Sequence, residues 1–590
     1  MKKTKFLAVA MATAMLGSTA LTACTPTTQG GEVLISVINY FGGVGRKWLD
    51  DAIERFKDLN EGTDYGGGYV GVDFEEPVNQ QGISTATMDT DGYHIYFLEG
   101  GQSVNSLAQQ GFLLDLTDTL TTPLTEYGES KSIEDKITAN YRVMEKGNDG
   151  NYYGVPHVEF YSGISYDIDA FETYGLYLAA EGGVQYQSKF GTANFYTTGA
   201  TKTVGPDGKA GSDDDGLPSS LKEFLILCSR MKNTYTMSPF GLAGKQHGYS
   251  NFLITSLWSA LAGYDKMQTC YSFDGTIDVV TGYTEEPLFA LVDDPETEGV
   301  DESAAYKHIK KPITTPFTVT EETGYRVYDM VERYYATAFL EIAVGEGWFS
   351  SGASTGTENT TEQYRFICSG AVIGGQEQEK IGMYVDGSYW YNESNVEEGN
   401  FDDYYDMMPP GTPKRKIGWM SLPVTLDRVV TQGNGKDSVM LEVALSNAFI
   451  NGNIKDNAPY VKACTDFIRF LYSDKELQNF TACTGMAKAV NYDLGEKESE
   501  LDAFQKSVWD RRNSGAKAVL YAGADNATFL GSLGSFNLYA GAEVFKYGGY
   551  KNYYDVFTKD SSGNATAQTI FNATKMTEDI WNSLYKGDEN

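Results

Sequence analysis

A short acidic loop is the segment of this chain best suited by composition to bind a cation. Residues 205–216 read Gly-Pro-Asp-Gly-Lys-Ala-Gly-Ser-Asp-Asp-Asp-Gly, so four carboxylates stand among glycines that permit tight turns. Hard oxygen ligands on a flexible loop suit Ca²⁺. We therefore hypothesise that Asp207, Asp213 and Asp215 help to coordinate a structural calcium ion. The alternative is a solvated acidic loop without a metal.

Patterns that would support catalysis are weaker. Residues 352–356 match the Gly-x-Ser-x-Gly pattern of serine hydrolases, but their flanks are polar and predict a surface loop, whereas the pattern needs a buried strand before the serine. The four histidines, His94, His157, His247 and His308, are too widely separated for zinc-binding spacing. A glycoside hydrolase needs two carboxylates that flank one bond, and spacing singles out none of the 80 acidic residues.

The N-terminus has the layout of an export signal. Three lysines precede an apolar run from Phe6 to Leu16, which is too short to span a bilayer as a permanent helix. The residues that follow, Leu21-Thr22-Ala23-Cys24, resemble the lipobox of bacterial lipoproteins. This resemblance implies cleavage before Cys24, acylation of Cys24 and residence on the extracytoplasmic face of the cell membrane. The alternative is an ordinary export signal with an incidental cysteine.

Length, charge and cysteine count narrow the class of protein further. The 590 residues are enough for two or more domains, and a formal charge of −34 disfavours nucleic acid and anionic lipid as partners. Apart from Cys24, five cysteines remain. An odd number leaves at least one thiol unpaired in a monomer, and the absence of any Cys-x-x-Cys argues against a disulfide scaffold.

Alternating strand and helix patterns indicate an α/β fold. Residues 33–38 predict a buried strand, a helical apolar stripe runs from Trp48 to Leu59, and strands follow near 69–74 and 94–98. This alternation favours a largely parallel sheet. Later, residues 460–480 predict one helix, and the stripe of Met576, Ile580, Trp581 and Leu584 predicts a final docking helix. Three polar stretches, 179–216, 280–322 and 350–363, have the composition of insertions.

Several short motifs occur in a fixed order along the chain. They are Ala108-x-x-Gly111-x-Leu113-x-Asp115-Leu116, Asp149-Gly-Asn-Tyr-Tyr-Gly-Val-Pro156, Tyr166-Asp167 with Phe171 and Gly175-Leu176, and Met383 to Trp390. Their order resembles that in the family 1 extracellular solute-binding proteins, the maltose-binding-like receptors of ABC importers. The resemblance spans roughly residues 33–490. This chain departs from it at Tyr389, where the family usually has tryptophan, and after Thr484-Gly485-Met486, where the usual proline is absent.

The resemblance implies an α/β fold of two lobes, of the class II periplasmic-binding-protein type, with a hinge between the lobes. The predicted divisions are the signal peptide (1–23), the lipidated cysteine and linker (24–32), lobe 1 (33–156 and 426–485), lobe 2 with insertions (157–425) and its C-terminal helices (486–590). It also implies a monomer that requires no cofactor and has three partners: a carbohydrate, ABC permease subunits and the membrane.

The resemblance also implies a set of ligand-binding residues. They are Tyr40 and Phe41 after the first strand, Glu99 after the third, Glu159 and Tyr161 on the crossing between lobes, Tyr389 and Trp390 as an aromatic platform, and Phe536. Aromatic rings stack on sugar C–H faces, and carboxylates pair with sugar hydroxyls. We expect Tyr40 and Trp390 to face the cleft. For Tyr161 and Phe536 core packing is an equal alternative, and Glu99 and Glu159 could equally form structural pairs.

Three functions follow as hypotheses. The first is a lipid-anchored receptor that delivers a carbohydrate, as an oligosaccharide, to an ABC importer by closure of its cleft. The second is a receptor of the same fold for another solute, such as a peptide. The third is a surface glycoside hydrolase, although the motif resemblance favours a protein that is not an enzyme.

Overall fold

The computed structural model describes residues 31–80, 82–83, 87–88, 90–98, 104–293, 305–394, 400–433, 435, 439–513, 517–519, 547–550 and 552–585. The predicted signal peptide, Cys24, Glu99 and Phe536 lie outside these residues. Within them, no helix combines the length and the apolar character that crossing a membrane requires.

A mixed sheet is the largest sheet in the described part of the chain. Its strands, in hydrogen-bonded order, are Ser238–Gly241, Ile381–Gly387, Val155–Asp167, Val439–Ile450, Ile95–Leu98, Val37–Asn39 and Val78–Asn79, with Ile417–Trp419 and Lys517–Val519 paired beside the long central strands. Pairing is parallel at the two ends and antiparallel around the centre. The prediction of a largely parallel sheet is therefore wrong for the centre of the sheet. There the long strands Val155–Asp167 and Val439–Ile450 run antiparallel to each other and to their outer neighbours.

The two long central strands connect the halves of this sheet, and we call them the first crossing strand (Val155–Asp167) and the second crossing strand (Val439–Ile450). They pair with each other between residues 155–162 and 441–448. The first also pairs with Ile381–Gly387, and the second also pairs with Ile95–Leu98. The predicted division near residue 426 lies ahead of the second crossing strand.

Buried apolar residues form two large clusters, one on each side of the crossing strands. The first cluster, which defines lobe 1, draws on residues between 33 and 160 and between 448 and 490. The second, which defines lobe 2, draws on residues between 164 and 441 and between 553 and 581. The architecture is thus a two-lobe α/β fold in which each core is assembled from separate parts of the chain.

Lobe 1 follows the predicted elements closely, with one break. The helix Lys47–Asn60 buries Trp48, Leu49, Ala52, Ile53 and Phe56 of the predicted stripe, whereas Leu59, its last member, is exposed. The single helix predicted over 460–480 is two helices, Ala458–Leu471 and Asp474–Thr484. The break occurs because the Ser473 hydroxyl accepts the N–H of Glu476 and so caps a new helix.

The remaining helices fall into three groups along the chain, and the remaining strands form small pairs. Other helices before the first crossing strand are Val104–Gln109, Thr117–Thr121, Ile133–Lys136 and Ala139–Met144. Helices between the crossing strands are Ile168–Thr173, Leu221–Tyr235, Tyr249–Ala262, Tyr264–Ser272, Val331–Gly345, Ser351–Thr355, Asn359–Ile367, Trp390–Asn392 and Asn400–Asp406. Helices near the C-terminus are Ala503–Asn513, Tyr553–Lys559, Ala567–Ala573 and Glu578–Tyr585.

The small strand pairs are Val33–Ile35 with Val72–Phe74, Asp64–Gly66 with Tyr69–Val70, Ala179–Glu181 with Thr201–Lys202, Val184–Ser188 with Gly191–Phe195, Gly275–Pro287 with Lys310–Val319, and Val372–Ile373 with Gln376–Glu377.

The C-terminal helices pack against lobe 2, as the apolar stripe predicted. Trp581 is fully buried, its ring meets Phe273 edge-on, and its indole N–H donates to the carbonyl of Glu321 at 2.8 Å. Among the described cysteines, Cys228, Cys270, Cys368 and Cys464 are buried free thiols, and Cys483 is half-buried. These five thiols form no disulfide with one another.

Candidate functional site

The two lobes meet at a glycine-rich loop that follows the strand Val37–Asn39. In this loop Gly43 belongs to lobe 1, and its carbonyl accepts a hydrogen bond from Nδ2 of Asn392 in lobe 2 at 2.5 Å. Gly43 has a φ of +75°, and a Cβ atom at this position would lie only 2.7 Å from Cβ of Tyr389. The close approach of the lobes therefore requires glycine here. We call Gly43, Tyr389 and Asn392 the latch.

Tyr389 is a lobe 2 residue that packs against lobe 1. Its half-buried ring packs against the lobe 1 core and meets the ring of Phe160 edge-on at 5.6 Å. Its hydroxyl donates to the hydroxyl of Tyr249 at 3.3 Å. Tyr249 in turn stacks on Phe252 at 4.7 Å and accepts a hydrogen bond from Asn359. The latch is thus continuous with a group of aromatic rings that carry polar ends.

Asparagine side chains around the latch have unused acceptor atoms. Asn39 and Asn392 both hold the glycine-rich loop, since their amide groups donate to the carbonyls of Gly45 and Gly43 respectively. The side-chain oxygens of Asn39, Asn392 and Asn359 are buried and have no hydrogen-bond partner among the described residues. A buried acceptor without a donor costs about 1–3 kcal/mol. Each oxygen is thus an acceptor that is not used among the described residues, and a ligand would reach it only with the lobes apart.

A buried carboxyl group lies directly behind the turn that presents Tyr389. Asp386 accepts hydrogen bonds from the Tyr384 hydroxyl and from the backbone N–H of Gly387, each at 2.7 Å. Burial raises the pKa of Asp386 to about 7, against the lowering effect of these hydrogen bonds. This carboxyl group fixes the end of the strand Ile381–Gly387 and so positions the latch.

The predicted ligand residues divide into three groups in the structure. Tyr40 and Phe41 are half-buried at the start of the glycine-rich loop, and Tyr389 lies in the latch. Glu159 and Tyr161 are buried on the first crossing strand, where the Tyr161 hydroxyl donates to Glu159 at 2.5 Å. The structure thus places Tyr389 at the junction of the lobes, and it places Tyr40 and Phe41 in the loop that carries Gly43. Glu99 and Phe536 lie outside the described residues, so their placement stays a prediction.

Trp390 does not face the cleft, and this part of the prediction is wrong. It is fully buried, packs against Phe366, Tyr384 and Phe504, and donates its indole N–H to the Ser165 hydroxyl at 2.8 Å. A helical turn begins at Trp390, so successive side chains point in different directions. Tyr389 is left at the junction and Trp390 is placed in the core.

Sequence reasoning found Tyr389 of the latch but missed Asn392 and the neighbouring Tyr249 and Phe160. Gly43 had a signal, because it stands in the Gly42-Gly43-Val44-Gly45 run after a strand. Asn392 and Tyr249 had none, since neither belongs to a motif, and only the folded chain brings Tyr249 next to Tyr389. Phe160 was passed over in favour of its neighbours Glu159 and Tyr161.

The acidic loop forms its own hydrogen bonds. Asp207 accepts from the N–H of Lys209 at 2.7 Å, and Asp215 accepts from the N–H of Gly211 at 2.7 Å. The side chain of Asp213 contacts that of Asp510, which raises the pKa of Asp510 together with burial. In the described part of the chain, no three acidic, histidine or cysteine side chains are arranged to hold a metal ion. The calcium site stays a prediction.

The Gly-x-Ser-x-Gly segment forms a short helix, Ser351–Thr355, instead of the predicted surface loop. The Ser354 hydroxyl is exposed and donates to the carbonyl of Ser351. A His247–Asp555 pair lies nearby, but Nε2 of His247 bonds the carbonyl of Ala353 and not the serine. This geometry does not form a nucleophile activated by a base.

Two cavities lie away from the latch. One has a volume of about 460 Å³, and its lining includes Leu178 and Gln432. The other has a volume of about 300 Å³, and its lining includes Lys232 and Thr558. None of the predicted ligand residues lines either cavity, so both are separate from the junction of the lobes.

Comparisons with known proteins gave structural neighbours only. No protein-family model and no curated protein matches this chain. Solved structures similar to it include a chitin oligosaccharide binding protein, with 15% identity over 93% of this chain and 99% of that one, at a TM-score of 0.49. The ligand-free form of RafE from Streptococcus pneumoniae has 14% identity over 95% and 99% of the chains, at a TM-score of 0.48. The cyclic alpha-maltosyl-1,6-maltose binding protein from Arthrobacter globiformis has 14% identity over 94% and 100%, at a TM-score of 0.46.

By their names, the first of these proteins binds a chitin oligosaccharide and the third binds cyclic alpha-maltosyl-1,6-maltose.

Proposed function

We propose that this chain is a lipid-anchored extracytoplasmic receptor that binds a carbohydrate between its lobes and delivers it to an ABC importer. The latch carries this proposal. It brings Tyr389 and Asn392 of lobe 2 against Gly43 of lobe 1, so a ligand that touches both sides would favour the state in which the lobes are in contact. A receptor that closes on its ligand needs this kind of junction.

The groups around the latch suit a sugar. Tyr389, which is half-buried and meets the buried ring of Phe160 edge-on, offers a ring for the C–H face of a saccharide. The unpartnered side-chain oxygens of Asn39, Asn359 and Asn392 accept from hydroxyl groups. A chain with a charge of −34 also has no general attraction for anions, so a neutral ligand fits its electrostatics.

Two parts of this proposal, delivery to an ABC importer and attachment to the membrane by a lipid, are supported by the sequence alone. The ordered motifs of residues 108–390 support a receptor for an ABC permease, and the lipobox at Cys24 supports a lipid tether. After Cys24, the seven residues 25–31 reach only about 15 Å as a flexible coil. The receptor would therefore be held close to the membrane in which a permease lies.

A ligand panel tests the proposal. Isothermal titration and thermal shift are measured with oligosaccharides and, in parallel, with short peptides. We expect oligosaccharides to raise the melting temperature without being cleaved. Binding of peptides alone would favour a receptor for another solute, and release of shorter sugars would favour a glycoside hydrolase.

The variant Asn392→Ala tests whether binding uses the latch. We expect it to weaken oligosaccharide binding about tenfold, because it removes both a ligand acceptor and the bond to Gly43. Asn233→Ala is the matched control, since Asn233 is an exposed lobe 2 asparagine whose amide bonds Ser229. Equal affinity in both variants would contradict a site at the latch.

A further inference from the structure

The first crossing strand presents different residues to its two faces. Phe160 points toward the latch, where its ring meets Tyr389. In a strand, adjacent side chains point to opposite faces, so Glu159 and Tyr161 lie on the face away from that contact. If the lobes part at the latch, the axis of that motion lies toward the face of Glu159 and Tyr161.

Glu159 is held on this face by several donors. Oε2 of Glu159 accepts from the Tyr161 hydroxyl and from Nε of Arg512, each at 2.5 Å, and Oε1 accepts from the Tyr141 hydroxyl at 3.4 Å. The side chains of Glu159 and Arg512 are 5% and 9% exposed. A pair this well buried is screened little by solvent, and loss of one partner leaves the other unpaired in the interior.

Arg512 connects parts of both lobes. It lies on the helix Ala503–Asn513, whose Phe504 packs against Trp390 and Trp419 in lobe 2. Its guanidinium group donates to the carbonyls of Lys488 and Val490, and Val490 belongs to the lobe 1 core. One side chain thus ties a lobe 2 helix to the crossing strand and to the end of lobe 1.

A third connection between the lobes runs beside this site. The chain leaves lobe 1 after the helix Asp474–Thr484 and continues to the helix Ala503–Asn513. Along the way, the carbonyl of Ala487 accepts the N–H of Glu159 at 3.0 Å. Glu159, Tyr161 and Arg512, which we call the clamp, therefore join two of the three segments that connect the lobes.

We propose that the clamp stabilises the arrangement in which the lobes are in contact and so sets the balance between lobes in contact and lobes apart. Glu159 and Tyr161 then act as positioning residues and do not touch the ligand. The inference rests on the proposed receptor function, which it deepens by naming the residues that control closure. Because the clamp exists without ligand, it can be tested whether or not a saccharide binds.

The test compares Glu159→Gln, Tyr161→Phe and Arg512→Lys with the unaltered chain. Small-angle X-ray scattering of the ligand-free protein is expected to show a larger radius of gyration in each variant, since the contact state loses its support. Saccharide affinity is expected to fall about tenfold for Glu159→Gln, and by the same factor for every saccharide that binds, because only the fraction of closed molecules changes.

Glu476→Gln is the matched control. Glu476 is a buried acid whose side chain is 3% exposed, and it pairs with Arg55 at 2.6 Å entirely within lobe 1. We expect this variant to lower the melting temperature without changing the radius of gyration. Tyr161→Phe retains the aromatic packing and keeps the test valid if Glu159→Gln fails to fold.

Two results would overturn the proposal. An unchanged radius of gyration in folded clamp variants would show that the clamp does not set the lobe balance. Affinity losses that differ from one saccharide to another would show that Glu159 or Tyr161 contacts the ligand. If no saccharide binds at all, the receptor proposal fails, and the scattering result alone decides on the clamp.

Discussion

Tyr389 and Trp390 are neighbours in the chain but have opposite surroundings. Tyr389 lies half-buried between the lobes with its hydroxyl on Tyr249, whereas Trp390 has no exposed surface and forms part of the lobe 2 interior. A ring that fills the core stabilises the fold, and a ring at a junction is available to a ligand. The two residues should therefore respond differently to the same substitution.

We predict that Trp390→Ala lowers the free energy of unfolding by about 3–5 kcal/mol, because it leaves a cavity in a packed core. Tyr389→Ala should cost much less stability and should weaken saccharide binding. Chemical denaturation and titration calorimetry on both variants measure the two effects. A Trp390→Ala protein with unaltered stability and lost binding would return Trp390 to the ligand site.

Two buried lysines in lobe 1 differ in the partners they have. Lys136 bonds Glu129 at 2.5 Å and Asp474 at 2.7 Å. Lys488 is placed 2.8 Å from Nδ1 of His157, among the rings of Trp48, Tyr472 and Phe480. Burial holds the pKa of Lys488 well below its ordinary value, because no described carboxylate pairs with it.

We predict opposite effects when each lysine is replaced by methionine. Lys488→Met should raise the free energy of unfolding by about 1–4 kcal/mol at pH 7, because it removes a buried amine that has a hydrogen bond to His157 but no carboxylate partner among the described residues. Lys136→Met should lower it by about 3 kcal/mol, because two carboxylates lose their partner. Urea denaturation of both variants provides the comparison. Destabilisation by Lys488→Met would mean that the rings stabilise its charged form.

The pH dependence of Lys488 has a definite sign. Its folded pKa lies below the unfolded value of 10.5, so the unfolded chain binds more protons between the two values. The stability that depends on this residue is complete above the unfolded pKa and is lost as the pH falls toward the folded pKa. Stability of the unaltered chain should therefore rise between pH 7 and 10 more steeply than that of Lys488→Met.

At the scale of elements, the acidic loop provides a test for the calcium hypothesis. We predict that the chelator-treated protein binds Ca²⁺ in titration calorimetry and that Asp207→Asn with Asp213→Asn weakens this binding. Glu285→Gln with Glu286→Gln is a control, because these residues lie on an exposed strand outside the loop. Absence of heat at millimolar Ca²⁺ would leave the loop as a solvated turn.

Elements with local signals were predictable from the sequence. The helix Lys47–Asn60 and the C-terminal helix with Trp581 both carried an apolar stripe of helical period. The break at Ser473 was not predicted. The apolar pattern continues through this position and favours one helix, whereas the Ser473 hydroxyl caps the start of a second helix. The position of the second crossing strand was not predicted either, because this strand pairs with strands that are far away in the sequence.

The site was harder to predict than its elements. The motif resemblance predicted an aromatic platform of Tyr389 and Trp390, but only Tyr389 lies at the junction of the lobes. The direction of each side chain at the start of a helix depends on the turn that precedes it, which the motif does not specify. Glu159 was found on the crossing strand, yet its partner Arg512 lies on a helix that no motif marked. Contacts over such separations depend on tertiary structure, and no local pattern contains them.

At the scale of the whole molecule, the lipid tether is open to a direct test. If Cys24 is acylated, Cys24→Ala should release the protein from membranes, because a lipid chain buried in the bilayer supplies the binding energy. Fractionation after a high-salt wash measures this, with Cys483→Ala as the matched cysteine control. Cys24→Ala protein that stays with the membrane would show that another feature holds it there.

The interleaved cores have a consequence for how the chain becomes a protein. Lobe 1 needs residues up to Val490 and lobe 2 needs residues up to Trp581. A ribosome delivers residues from the N-terminus, and a domain folds during synthesis only when its whole sequence is available. Neither core of this chain is complete until synthesis is almost finished. The growing polypeptide therefore stays unfolded for much of its synthesis, which would suit the export that the N-terminal signal predicts.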